Sequence, residues 1–175
     1  MIHPLFVDRE NMPSLKRKQQ IVAVVSVIGL LAAGLGAYWY TATATGPTSF
    51  TLRPDDSAMV SRGQQVYLAN CASCHGSKLE GQPNWRERNA QGMLPAPPHN
   101  ETGHTWHHPD DMLFALTKYG IAKVANMPDY QSAMPVYEGK LSDADITAAL
   151  SWIKSQWPAE IRAQQDAVNL RAKKN

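Results

Sequence analysis

The sequence predicts an all-α protein, a helical domain preceded by one N-terminal transmembrane helix. Three observations point there. Runs rich in Val, Ile and Thr are nearly absent outside the N-terminal region, which disfavours strands. In the C-terminal part, apolar residues recur at helical spacing between capping and breaking residues. The stretch IVAVVSVIGLLAAGLGAYWY, residues 21–40, contains no charge. A chain of 175 residues with 43% hydrophobic content is one ordinary domain with an additional segment, and it can bury a core. Its 12 prolines and 11 glycines fall mostly between helical patterns, which implies long structured loops.

The elements follow in chain order. At 1.5 Å per residue, residues 21–40 span about 30 Å, the thickness of a bilayer's hydrocarbon. Lys16, Arg17 and Lys18 precede this run and the next charge after it is Arg53. The positive-inside rule therefore leaves the stub 1–20 in the cytoplasm and everything after Tyr40 outside. Tyr38, Trp39 and Tyr40 are an interfacial anchor. A cleaved signal peptide is the competing reading, with Ala42-Thr43-Ala44 as a processing site, but the uncharged run exceeds an ordinary signal core. Residues 41–56 read as a linker reaching at most about 50 Å, so the domain beyond it works close to the membrane.

Charge narrows the partners. The stub carries Arg9, Lys16, Arg17 and Lys18 against Asp8 and Glu10, whereas the part from Thr45 onward has equal numbers of basic and acidic side chains. No basic stripe is present to neutralise a phosphate backbone, so nucleic acid is excluded as a partner. Lys118, Lys123 and Lys140 remain as local cations for a protein partner.

In the exported domain, a helix opens at His108-Pro109-Asp110-Asp111 and closes at Gly120. A second opens at Ser142, with Asp145 completing a capping-box-like start. Ile146, Leu150, Ile153 and Trp157 then form one apolar face until Pro158 stops it. Residues 159–175 read as a weakly amphipathic helix without an assignable purpose.

The chain's two cysteines lie together in CASCHG, residues 71–76. A structural zinc needs four ligands, and this motif is short of them. A redox C-x-x-C of the thioredoxin type wants a preceding strand and a βαβ context, both missing. A disulfide across two intervening residues closes too short a loop to stabilise much. The pattern C-x-x-C-H instead suits one covalently attached haem c. Cys71 and Cys74 reach two vinyl groups of one porphyrin, and His75 becomes the proximal iron ligand.

Residues 57–158 as a whole resemble the class I c-type cytochromes. SAMVSRGQQVYLANCASCHG is similar to that family's N-terminal helix and haem motif, with Gly63 and Tyr67 where the helix crosses the C-terminal one. MPVYEGKLSDADITAALSWIKSQW is similar to its ligand-methionine loop and C-terminal helix, with Trp152 packing on that glycine. The resemblance implies a class I cytochrome c fold and a carrier of single electrons rather than an enzyme. It also implies a sixth ligand from methionine. Met127 in MPDY and Met134 in MPVY are locally matched, and the family's position just before the C-terminal helix selects Met134. Val136 beside Met134 is easier to desolvate than Asp129 beside Met127. The resemblance further implies that a proline carbonyl, best matched by Pro97, accepts the second N–H of His75.

Between the haem motif and the Pro109 helix, Trp85, Arg86, Arg88 and Trp106 are candidate propionate partners, with ordinary packing the alternative. His99, His104, His107 and His108 form a dense run, and His99 stands where the family often has leucine. The expected whole is a single-pass inner-membrane cytochrome with a periplasmic haem domain. It acts as a tethered carrier or as a subunit of a respiratory or photosynthetic complex, between a quinol-oxidising complex and an oxidase or other acceptor. Two rival classes stand beside it: an open-site haem enzyme or sensor of the peroxidase kind, and a copper-binding module built on the histidine run.

Overall fold

The computed structural model describes residues 51–174, together with Val22, Val24, Ser26 and Gly29. The chain divides into two units, residues 1–48 and 49–175. The stub expected at 1–20, most of the membrane span expected at 21–40 and most of the linker lie outside the described residues. Val22, Val24, Ser26 and Gly29 are helical and exposed. Among the described residues no helix is long and apolar enough to cross a membrane.

The second unit is all-helical. Its elements are α1 (Ser57–Asn70), α2 (Ala72–His75), a 3₁₀ turn (Thr105–His107), α3 (Asp110–Tyr119), α4 (Ile121–Val124), α5 (Asp143–Ser155) and α6 (Ala159–Ala172). α1 opens on Asp56, whose carboxylate accepts from the Met59 N–H at 3.1 Å and so satisfies one of the helix's orphan donors. α5 opens as expected. Ser142 Oγ accepts from the Asp145 N–H at 3.1 Å and donates to the Asp145 carboxylate at 2.6 Å, a reciprocal cap in which Asp replaces the usual Glu. α3 runs from Asp110 to Tyr119, with Pro109 before it and Gly120 at φ 82° ending it.

α1 and α5 make the most extensive helix pairing among the described residues. The crossing is a backbone contact. A Cβ built on Gly63 would fall on the carbonyl oxygen of Ala148 and 2.9 Å from the Cβ of Trp152. One turn further along α1, Tyr67 is fully buried, its ring centroid 4.6 Å from that of Trp152. Ile146, Leu150 and Ile153 are buried as their spacing predicts. The α5 helix ends at Ser155 rather than at Pro158, and Trp157 is nonetheless buried beyond it, its indole N–H donating to the His99 carbonyl at 2.6 Å.

Burial on α5 is wider than one stripe, because Ser151 and Lys154 are buried too. The cause is α6 together with the residues ahead of α1. Lys154 Nζ meets Asp166 at 2.6 Å, and Ser151 Oγ accepts from the Arg53 N–H at 3.0 Å. The tail thus docks through polar contacts, which a hydrophobic pattern does not register. Its centre is the buried carboxylate of Asp110. That group accepts from the Leu52 N–H at 2.9 Å, from Gln165 Nε2 at 2.6 Å and from Asn169 Nδ2 at 3.0 Å. Arg162 adds an exposed bridge to Asp55.

Two expected outcomes test this architecture. Helix propensity alone favours Gly63→Ala by about 1 kcal/mol. The occupied space around Gly63 reverses the sign, and urea denaturation should show a loss of about 1–3 kcal/mol or more. Asp110→Ala should cost about 1–3 kcal/mol for each buried donor it strands, and limited proteolysis should then release α6 after Pro158. An unchanged denaturation midpoint for the Asp110 variant would mean that the tail is held by something else.

Candidate haem site

The CASCHG motif occupies a single helical turn set on the end of α1. The Cys71 N–H donates to the Tyr67 carbonyl at 2.8 Å, and the His75 N–H to the Cys71 carbonyl at 2.9 Å. Cys71 and His75 are therefore one turn apart. Tyr67 returns from below, its hydroxyl donating to the Gly76 carbonyl at 2.8 Å, so both ends of the motif are tied to α1. Burial, with a smaller contribution from Cys71, holds the Tyr67 hydroxyl well above the usual phenol range, so it stays a donor. Both thiols are unbridged. Cys74 is exposed, and Cys71 is partly buried with its thiol pushed up to about 11, chiefly by desolvation.

His75 is buried, with Nδ1 2.9 Å from the Pro97 carbonyl oxygen, to which it donates. The carbonyl reaches that point because the chain folds back on itself. The Gly81 N–H donates to the His75 carbonyl at 2.8 Å, Gln82 N–H to the Ala96 carbonyl at 2.9 Å and His99 N–H to the Leu79 carbonyl at 2.9 Å. Gly81, at φ 69°, admits this approach, since a Cβ there would stand 2.7 Å from the Pro97 carbonyl carbon. Burial lowers the His75 pKa, with the Pro97 bond opposing it, so the ring is neutral at physiological pH. With the proton on Nδ1, the lone pair is on Nε2, which has no hydrogen-bond partner among the described residues.

The two matched methionine loops are held differently. Met134 is partly buried against the core, whereas Met127 is 50% exposed. Their tyrosines part company as well. Tyr137 is buried and its hydroxyl donates to the Asn70 carbonyl at 2.6 Å, immediately before Cys71. Tyr130 lies under the Arg88 guanidinium, 5.7 Å from the ring centroid, in an open groove of about 680 Å³ that Met127 also lines. Val136 packs toward Gly120, leaving no room there for a Cβ, and remains 43% exposed.

The histidine run spreads over separate partners. His99 Nδ1 lies 2.8 Å from Thr105 Oγ1 and its ring stacks on His75, whereas His104 stacks on Trp85 and His107 on Trp106. Arg86 covers Trp85 at 4.0 Å, Arg88 donates to the Gly92 carbonyl, and Trp106 Nε1 donates to the Glu101 carbonyl at 3.3 Å. Arg88 and Trp106 thus spend a donor on backbone carbonyls, whereas Arg86 and Trp85 meet only through their faces. Among the lysines, Lys118 pairs with Asp143 at 2.7 Å and Lys123 with Glu138 at 3.9 Å.

Sequence reasoning missed two side chains at this site. Tyr137 was visible only as half of a repeated M-P-x-Y motif, and the local motif does not say which copy is anchored. His99 was visible as a departure from leucine, without a role.

Two unbridged thiols, one a helical turn before a neutral imidazole and the other directly before it, with one nitrogen of that ring held by a backbone carbonyl, define a class I c-type cytochrome in an all-helical domain. The chain belongs to the cytochrome c family, whose model, described as Cytochrome c, matches residues 60–157. Its cofactor is therefore covalently bound haem c, and the donor set just described fits that group. The chain is also similar to the Cbb3-type cytochrome c oxidase subunit CcoP of Rhodobacter capsulatus, 30% identical over 103 residues, 59% of this chain and 31% of that protein. A second CcoP sequence from Rhodobacter capsulatus is 30% identical over 105 residues. The chain thus spans about a third of the length of the curated relatives it matches. No solved structure matches it.

Proposed function

We propose that the protein transfers single electrons as a membrane-anchored, periplasmic monohaem cytochrome c with His75 and Met134 as axial ligands. It serves as a tethered carrier or as a subunit of a respiratory oxidase, the latter favoured by its similarity to an oxidase subunit. The observation that carries the reading is the His75 imidazole: Nδ1 is committed to Pro97 and Nε2 has no hydrogen-bond partner among the described residues, within the segment that matches the family. When bound, haem c supplies a reversible one-electron iron couple. Cys71 and Cys74 would hold it as thioethers, and His75 would ligate through Nε2. Pro97 keeps the proton on Nδ1 and would so raise the basicity of Nε2. A thioether from Met134 would raise the reduction potential and keep oxidants from the iron, which separates a carrier from a peroxidase. The support for Met134 over Met127 is its burial and the Tyr137 bond beside Cys71.

The two methionines give the test. Met134→Ala is expected to remove the far-red sulfur-to-iron charge-transfer band of the ferric protein, lower the potential and admit carbon monoxide. Met127→Ala should leave all three unchanged and, at 50% exposure, alter stability by no more than about 0.5 kcal/mol. Loss of the band in the Met127 variant would transfer the ligand role to that residue. A wild type lacking the band would favour the open-site reading.

The anchor has its own check. Residues 21–40 should remain on the mature protein, with Lys16, Arg17 and Lys18 on the cytoplasmic side. N-terminal sequencing of the haem-stained band should read through the stub. A mature start near Thr45 would make the protein a freely diffusing carrier.

A further inference from the structure

The imidazole of His99 lies face to face with that of His75, centroids 4.0 Å apart and planes inclined by 21°. It is itself held by two further neighbours. Its Nδ1 meets Thr105 Oγ1 at 2.8 Å, Thr105 is buried, and the Tyr67 ring meets it edge to face with centroids 6.4 Å apart. Its backbone is held as well, by N–H donation to the Leu79 carbonyl and by acceptance from the Trp157 indole. The hydrogen bond from His75 to Pro97 fixes one direction of the ligand ring but leaves it free to rock about that line. A flat partner parallel to the ring removes this freedom, whereas a branched aliphatic side chain offers no parallel face.

We infer that His99 is a positioning residue for the axial ligand: its ring, locked by Thr105, sets the orientation of the His75 plane and so the electronic asymmetry of the haem iron. The inference rests on the proposed ligation by His75 and deepens it. In a low-spin ferric haem the plane of the axial imidazole orients the half-filled iron orbital. The EPR g-values and the spread of the haem-methyl proton resonances read that orientation directly, without any assay of electron transfer.

The experiment uses full-length ferric holoprotein in detergent. His99→Leu should shift the g-values and redistribute the haem-methyl resonances, with broader EPR lines from a ring no longer held at one angle. His99→Phe, which keeps a flat face, should restore much of the wild-type pattern. Thr105→Val, which frees the His99 ring, should shift the pattern in the same sense as Leu but less. Ser151→Ala is the control. It destabilises the domain by removing the buried acceptor of the Arg53 N–H, ahead of α1, and should leave the haem spectra at wild type. Wild-type spectra in His99→Leu would overturn the inference, as would an equal shift in Ser151→Ala, since the spectra would then merely follow stability. A wild type that is not low-spin would instead overturn the ligation on which the inference stands.

Discussion

The approach of two backbones at Gly63 governs the rest of the structure. With no Cβ in the way, α1 settles against the Ala148 carbonyl on α5, and its direction is fixed over its whole length. Everything attached to the end of α1 inherits that direction. Tyr67 lies one turn on, is buried against Trp152 and reaches forward to the Gly76 carbonyl. The CASCHG turn is therefore braced from α1 by a hydrogen bond whose other end is seated in the crossing. Substituents at residue 63 would push the helices apart, and the site at the end of α1 would move with them.

A second brace comes from the other direction. Tyr137, buried in the core, donates to the carbonyl of Asn70, the last residue of α1, and so links the Met134 loop to the thiol-bearing turn. The loop then runs directly into Ser142 and α5. Crossing helix, thiol turn and methionine loop form a closed circuit of three segments, each fixed at both ends. Met127 lies outside this circuit, in a loop whose tyrosine ends under an exposed arginine. Two sequence motifs of identical spacing thereby acquire unequal anchoring, and a side chain set to work from an irregular segment needs such support.

The sequence made the braced elements legible and the polar ones illegible, for a physical reason. Caps at Ser142 and Gly120, the Ile146 stripe and the C-x-x-C-H spacing are local signals, each carried by residues within a few positions of one another. The network around Asp110 joins Leu52, Gln165 and Asn169 across more than fifty residues on either side. No periodicity records such a set, and Gln165 and Asn169 read as the polar face of a surface helix. Buried polar groups of this kind persist because each donor finds its acceptor, and breaking one member strands the others. The stacking of His99 on His75 is equally nonlocal. A histidine in a position where leucine is common marks a difference, but only the folded chain shows that a flat face is being presented to the His75 ring.

The surface charge bears on how such a domain finds its partner. Net charge over the whole chain is only +2, and all of it belongs to the N-terminal stub. Of the three lysines that remained as local cations, Lys118 is bound to Asp143 and Lys123 to Glu138, and both also face the Tyr119 ring. A pair of opposite charges a few ångströms apart has a field that falls off faster than a single charge and is further damped over about a Debye length of 8 Å at physiological salt. Long-range steering from these side chains is therefore weak. A freely diffusing carrier with so little steering forfeits the rate advantage that complementary fields confer. A domain confined near its acceptor does not need that advantage, because confinement already raises the local concentration, and this favours the tethered or subunit forms of the proposed function.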